Sequence, residues 1–329
     1  MATHPRDALF DAGDAAPEIP VCDHYCGVES RMRKSLALQA EMGPVFDVTL
    51  DCEDGAPIGG EAEHVRMAAE LAMSVDNRFG RVGARVHPVD DPSFADDVAA
   101  LVGHAGTRLA YLMLPKAHSL GEVSRAIAEI DHQSRVHSLA RAIPVHVLVE
   151  THGALRDVQQ IAAHPRVESI SFGLMDFVSA HRGAIPSAGM GAEGQFTHPL
   201  IVRAKLDIAA ACHGFAKVPS HCVVTEFNDV DEVAIAATRA SREFGYTRMW
   251  SIHPKQIRPI VEAFAPSAAE VEHSVGIVIA AQDADWAPIS HRDTLHDRAS
   301  YRYFWRVLER AHRTGQPLPA QVRQRFFGA

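Results

Sequence analysis

The sequence predicts an α/β protein, specifically a (β/α)8 TIM barrel with a C-terminal helical extension. Three observations carry this. Apolar β-type runs alternate with amphipathic helical runs eight times between residues 19 and 266. The links between them are short, as in a barrel wound from successive parallel βα units. At 329 residues and 47% hydrophobic content, the chain suffices for one barrel of about 250 residues plus an appendage. The expected divisions are an arm over 1–18, the barrel over 19–266 and the extension over 267–329.

Residues 19–25 read as a first strand and 31–42 as its helix, with Met32, Leu36 and Leu38 apolar. Residues 45–50 form a second strand running into Asp51-Cys-Glu-Asp-Gly55, and 61–75 carry Val65, Ala68, Ala69 and Ala72 on one helical face. Strand three spans 81–87 and stops at Pro88, with a helix over 94–102. Strand four spans 109–114 and closes at Pro115-Lys116, with a helix over 120–132. In the central unit, Val145, Val147 and Val149 alternate up to Glu150, Leu155, Val158 and Ile161 follow at helical spacing, and 167–173 return to β-type residues. A loop over 179–197 leads to a helix over 199–212. Residues 218–227 contain strand seven, followed by a helix over 230–244. Strand eight, over 247–252, ends at His253-Pro254 before a helix over 256–264. Past Pro266, helices over 268–281 and 301–313 flank a polar stretch. That tail is too short for a sizeable core of its own and should pack on the barrel or on a neighbouring subunit. The first 18 residues, acidic and rich in Pro and Ala, read as a loosely ordered arm and not as a signal peptide.

A net charge of −9 without a basic run argues against sequence-independent nucleic-acid binding. No stretch approaches the roughly 18 consecutive apolar residues of a membrane span, so no membrane partner and a cytoplasmic location are expected. The five cysteines, Cys22, Cys26, Cys52, Cys212 and Cys222, are scattered and read as reduced thiols. Cys22, His24 and Cys26 alternate as strand residues do, with no second pair to complete a zinc site. Gly189-Met-Gly-Ala-Glu-Gly194 matches GxGxxG but follows a loop with Pro186, and a dinucleotide fingerprint needs a strand there.

In such a barrel the chemistry lies at the C-terminal strand ends. Those ends collect Asp51, Glu53 and Asp54, then Arg85 and His87, Lys116, Glu150, Asp176 and His253. Glu150 and Asp176, where two neighbouring strands run out, would emerge on one face. Oxygen donors without sulfur suit Mg²⁺ or Mn²⁺ better than zinc. The competing interpretation is that each acid caps a helix. Arg85 is either the partner of a buried acid or a clamp for a developing oxyanion, and its place near a strand end favours the clamp.

Asp51-Cys-Glu-Asp54, Arg85-Val-His-Pro88, Leu112-Met-Leu-Pro-Lys116, Val149-Glu150-Thr, Phe172-Gly-Leu-Met-Asp176 and Ile252-His-Pro254 recur in one order. In this the chain resembles the HpcH/HpaI aldolase/citrate lyase superfamily, in its citrate lyase β-subunit-like branch that includes malyl-CoA lyases. The resemblance implies a TIM barrel, Mg²⁺ on Glu150 and Asp176, and Arg85 against the substrate carboxylate or carbonyl. It also implies assembly as a homotrimer or hexamer, with the C-terminal segment covering a neighbour's active site. There Asp297, in His-Asp-Arg-Ala-Ser300, matches an aspartate acting as acid or base. Two departures stand out: strand one lacks the Arg-Ser pair of many relatives, and His87 replaces an asparagine. His87 either contacts substrate or packs at the strand end. Lys116 is expected to pair with the Asp51, Glu53 and Asp54 cluster in support of the barrel mouth.

The expected activity is Mg²⁺-dependent cleavage or formation of a β-hydroxyacyl-CoA thioester, such as malyl-CoA or citramalyl-CoA, by retro-Claisen chemistry. The alternatives are a CoA-independent class II pyruvate aldolase, a malyl-CoA thioesterase, a citrate lyase β-subunit or a non-catalytic assembly subunit. Arg31, Arg33 and Lys34 are candidates for CoA recognition, although a solvated helix face explains them equally well.

Overall fold

The computed structural model describes residues 3–11, 17–226 and 229–328. Residues 1, 2 and 12–16 of the expected arm, Phe227 in the segment expected to hold strand seven, and Ala329 lie outside the described residues. The chain divides into two compact units, Pro17–Val261 and Met1–Ala16 with Glu262–Ala329.

The first unit is a closed parallel barrel. Its strands are β1 (Cys22–Cys26), β2 (Phe46–Asp51), β3 (Val82–Arg85), β4 (Leu109–Leu114), β5 (Val145–Val149), β6 (Val167–Phe172), β7 (Val218–His221) and β8 (Arg248–Ser251). β1 pairs with β2 on one side and β8 on the other, which closes the ring. Strand burial is nearly continuous, as expected where one face meets helices and the other fills the barrel.

Period-two alternation sends Asp23 and Tyr25, Asp47, Thr49 and Asp51, and Arg248 and Trp250 to common faces of their strands. The interior is layered accordingly. At the N-terminal end, Arg248 sits 3.0 Å from Asp23 and 2.7 Å from Asp47. Tyr111 and Thr49 donate to Asp23 at 2.9 and 2.7 Å. Midway, Tyr25 stacks on Trp250 at 4.2 Å beside Met113 and Leu148. A Cβ at Gly83 would lie 2.4 Å from the Tyr111 ring, so only glycine lets β3 approach that layer. The third layer is the active-site mouth.

Helices cover the outside, among them Glu61–Met73, Phe94–Ala105, Leu120–Val136 and Pro199–Gly214. The helix after β5 is broken at Asp157 into His152–Arg156 and Val158–Ala163. The expected loop over 179–197 contains two short helical turns, Ser187–Met190 and Gly194–Thr197.

The second unit corrects two expectations. The tail does have a core: Val271, Ile277, Val278, Tyr301, Trp305, Leu308 and Phe326 cluster with Leu9. Leu9 belongs to the helix Pro5–Leu9, so the described part of the arm is structured. Arg6 anchors it on Glu309 at 3.1 Å, and Arg302 donates to the carbonyl of Leu9 at 2.7 Å. The N-terminal segment thus adds Leu9 to a core that the tail builds. The polar stretch holds a hairpin, Ile289–His291 with Thr294–His296. Ser267 opens the helix Ala268–Asp283 with a capping box completed by Glu270.

Candidate active site

β2 ends on Asp51, whose carboxylate is saturated. Oδ1 accepts from the Glu53 amide at 3.0 Å and from Arg85 Nε at 2.7 Å. Oδ2 accepts from the Gly55 amide at 2.9 Å and from Arg85 Nη2 at 2.5 Å. The fork between Arg85 and Asp51 is bidentate, the strongest form of this pair. Arg85 Nη1 also lies 3.0 Å from Glu53 Oε2, without hydrogen-bond alignment. Burial opposes the charge of Arg85, but Asp51 and then Glu53 outweigh it, so its guanidinium proton is held more tightly than usual. Arg85 is therefore the partner of buried acids, with Nη1 its least committed nitrogen.

Lys116 bridges the same cluster, donating from Nζ to Glu53 Oε1 and, at 2.6 Å, to Asp54 Oδ2. Burial raises the proton affinity of Glu53, against the charge of Arg85. For Asp54 the balance is reversed. Burial again raises its proton affinity, but the hydrogen bond that Lys116 donates helps bring it below the usual range. Lys116 adopts a left-handed backbone, φ 50°. This uncommon conformation lets its side chain meet Glu53 and Asp54 while its amide donates to Glu150 Oε1 at 2.6 Å.

Glu150 follows β5 directly and is buried. It caps no helix: Thr151 holds that position, accepting from the Ala154 amide at 3.0 Å. Asp176 is not a cap either. β6 stops at Phe172, Gly173 caps the helix Leu174–Ser179, and Asp176 lies in its first turn. Asp176 is thus displaced from the strand end where the sequence placed it. A Cβ on Gly173 would come within 2.4 Å of Glu150 Oε2, so glycine is needed for β6 to turn past this acid.

Burial and, next, the charge of Asp176 push the Glu150 carboxyl up to about 8. Among the described residues, neither acid is in an ion pair, and the side chain of Asp176 makes no hydrogen bond. A buried carboxyl whose proton affinity a second carboxylate raises, with oxygen donors and no ion pair among the described residues, fits a hard divalent ion. Among the described residues no group of three or more His, Cys, Asp or Glu is arranged to hold a metal. Mg²⁺, which takes one or two carboxylates and completes its shell with water and substrate, suits a two-acid site.

His87 Nδ1 lies 2.7 Å from Asp97 Oδ2, and its backbone amide donates to the same oxygen at 2.9 Å. The ring is thus oriented by an acid on the helix Phe94–Ala105. Sequence inspection missed Asp97, which resembles any first-turn helix acid, and the Asp23–Asp47–Arg248 network. A charged residue at an interior strand position is the signal for the latter. Asp297, in the second unit, is exposed and caps the helix Arg298–Arg313. Its Oδ1 accepts from the amides of Ala299 and Ser300 at 3.0 and 3.3 Å. At the rim, Arg33 is paired with Glu29 at 2.7 Å. Burial, then the charges of Lys255, Lys34 and Arg31, lower the proton affinity of His253.

A closed parallel barrel with a cluster of acids and cations at the C-terminal ends of its strands defines the α/β-barrel class of enzyme. The chain belongs to the HpcH/HpaI aldolase/citrate lyase family, whose model matches residues 33–254, and it is a carbon–carbon lyase. A citrate lyase structure from Burkholderia xenovorans LB400 is 53% identical, covering 99% of this chain and 100% of its own, with a TM-score of 0.85. The L-malyl-CoA/beta-methylmalyl-CoA lyase of Cereibacter sphaeroides is 28% identical over 249 residues, 72% of this chain and 77% of its own. The CitE protein of Mycobacterium tuberculosis, solved with magnesium, acetoacetate and coenzyme A, shares the fold at 21% identity, covering 89% of this chain and 98% of its own with a TM-score of 0.67.

Proposed function

We propose that the protein is a Mg²⁺-dependent lyase that cleaves or forms a β-hydroxyacyl-CoA thioester of the malyl-CoA or citramalyl-CoA type. The observation that carries this is Glu150, buried, in no ion pair among the described residues, and acted on by the charges of both Asp176 and Arg85. A Mg²⁺ held by these two acids would polarise the oxygen on the hydroxyl-bearing carbon. In the cleavage direction the hydroxyl proton leaves and that carbon becomes a carbonyl. The bond to the thioester α-carbon breaks, and its electron pair forms an enolate that is then protonated. Arg85 Nη1, unaligned with Glu53, is the nitrogen available to a substrate oxygen. His87, oriented by Asp97, is a second polar contact for substrate at the same strand end. Arg31, Lys34 and Lys255 offer positive charge for the phosphates of CoA.

Asp297 is the proposed proton carrier, contributed by a neighbouring subunit of a homotrimer or hexamer. Both cap hydrogen bonds use its Oδ1, and Oδ2 accepts none among the described residues. Asp297→Asn keeps the cap, since asparagine is an equally good N-cap residue, but cannot take a proton. Turnover with malyl, citramalyl, methylmalyl and citryl thioesters, in Mg²⁺ and in EDTA, tests the proposal. The expected result is metal-dependent release of a keto acid or glyoxylate together with an acyl-CoA, lost at least 100-fold in Asp297→Asn with an unchanged melting temperature. CoA release without a carbonyl product would identify a thioesterase instead. Full activity in Asp297→Asn would remove that residue from the chemistry.

A further inference from the structure

The arginines at the N-terminal end of the barrel fall into two groups. Arg166, which precedes β6, is paired with Asp131, and Arg248, which opens β8, lies between Asp23 and Asp47. Arg81, Arg108 and Arg141, in the segments entering β3, β4 and β5, instead line one cavity of about 470 Å³. None of these three is in an ion pair among the described residues. Each is anchored through Nη2 on a backbone carbonyl: Arg81 on Glu18 at 2.9 Å, Arg108 on Asn77, and Arg141 on Leu109. Their Nε and Nη1 groups make no hydrogen bond among the described residues. The acid on the lining, Glu168, lies 2.9 Å from His146 Nε2. Burial disfavours its charge, but His146 and then Arg248 and Arg81 favour it more, so it stays ionised. Three cations and one anion leave the lining with a formal charge of +2, in a chain whose net charge is −9.

Arginine forks held in place by one nitrogen and open at the others match the oxygens of phosphate groups. The cavity is within the roughly 300–1,000 Å³ range of small-molecule sites. We propose that it binds a diphosphate group, either free or as the phosphate chain of a nucleotide. Because all eight strands are parallel, this site is at the end of the barrel opposite Glu150 and Asp176.

The test is calorimetric titration of the full chain, in EDTA, with inorganic pyrophosphate, ADP and AMP. One saturable site per chain is expected for pyrophosphate or ADP, and AMP should bind at least tenfold more weakly. Equal affinity for pyrophosphate and ADP assigns the site to the diphosphate group alone, and tighter ADP assigns it to a nucleotide. Arg141→Gln should weaken binding at least tenfold. Because that change also removes an anchor on Leu109, Thr107→Glu is the companion variant. It places an acid on the exposed lining, leaves every anchor intact, and should abolish binding at an unchanged melting temperature. Asp176→Asn should leave binding unchanged. Absence of saturable binding to millimolar concentration, undiminished binding in Thr107→Glu, or loss of binding in Asp176→Asn would each overturn the assignment.

Discussion

Asp176→Asn separates metal binding from folding. The Asp176 side chain is half-buried, and among the described residues it makes no hydrogen bond or ion pair; its effect is to oppose the charge of Glu150. Such a substitution should change metal-free stability by no more than about 0.5 kcal/mol. The folded state holds the Glu150 proton up to about pH 8, against a reference carboxyl value of 4.5. Between these values the folded chain binds more protons than the unfolded chain, so this contribution is complete below about 4.5 and is lost as pH rises through about 8. Removing the Asp176 charge lowers that upper limit, and the metal-free variant should lose less stability toward pH 8 than the parent. With Mg²⁺ at a hundred times its dissociation constant, the parent gains about 2.7 kcal/mol by linkage. For a domain of this size that is about 5–10 °C in melting temperature. Thermal melts at pH 6 and pH 8, in EDTA and in Mg²⁺, read both effects. A Mg²⁺ shift that survives in Asp176→Asn would refute the site, as would a metal-free melting temperature lowered by more than about 4 °C.

Arg85→Met strands two buried carboxylates, Asp51 and Glu53, and should cost about 3–5 kcal/mol in urea unfolding. Adding Asp51→Asn should recover a large part of that loss, and strictly additive penalties would contradict the bidentate pair. Lys205 is buried, with Nζ 3.0 Å from Gln195 Oε1 and 3.9 Å from the centre of the Phe196 ring, and burial lowers its proton affinity to about 8. Between about pH 8 and its reference value of 10.5 the unfolded chain binds more protons, so this group makes stability rise with pH there. Lys205→Met should flatten that rise in urea titrations at pH 8, 9 and 10, and an unchanged slope would show that Lys205 is hydrated.

The eight strands were legible because their signal is local. Val145, Val147 and Val149 alternate within five residues, and Pro88, Pro115 and Pro254 lie just beyond strand ends, where a missing amide donor stops the ladder. Residues that end a strand of a parallel barrel gather at one mouth, so Asp51, Arg85 and Glu150 could be named together before any coordinate was known. The relationship of Asp51 to Arg85 was not legible. They lie 34 residues apart and meet through the β2–β3 register, where a shift of one residue would turn each to the opposite face. Asp176 was misplaced because a glycine cap and a helical turn beyond β6 move it away from the strand, and single glycines give weak boundaries. The packing of Leu9 with Trp305 and the grouping of Arg81, Arg108 and Arg141 likewise depend on contacts between distant segments. Sequence by itself therefore determined the barrel, the end of it that carries the chemistry and the kinds of side chain found there, because strand period and strand polarity are properties of consecutive residues. Tertiary structure decided which charges neutralise one another and which stay open, because that depends on strand register and chain closure, and both are set only when distant segments pack.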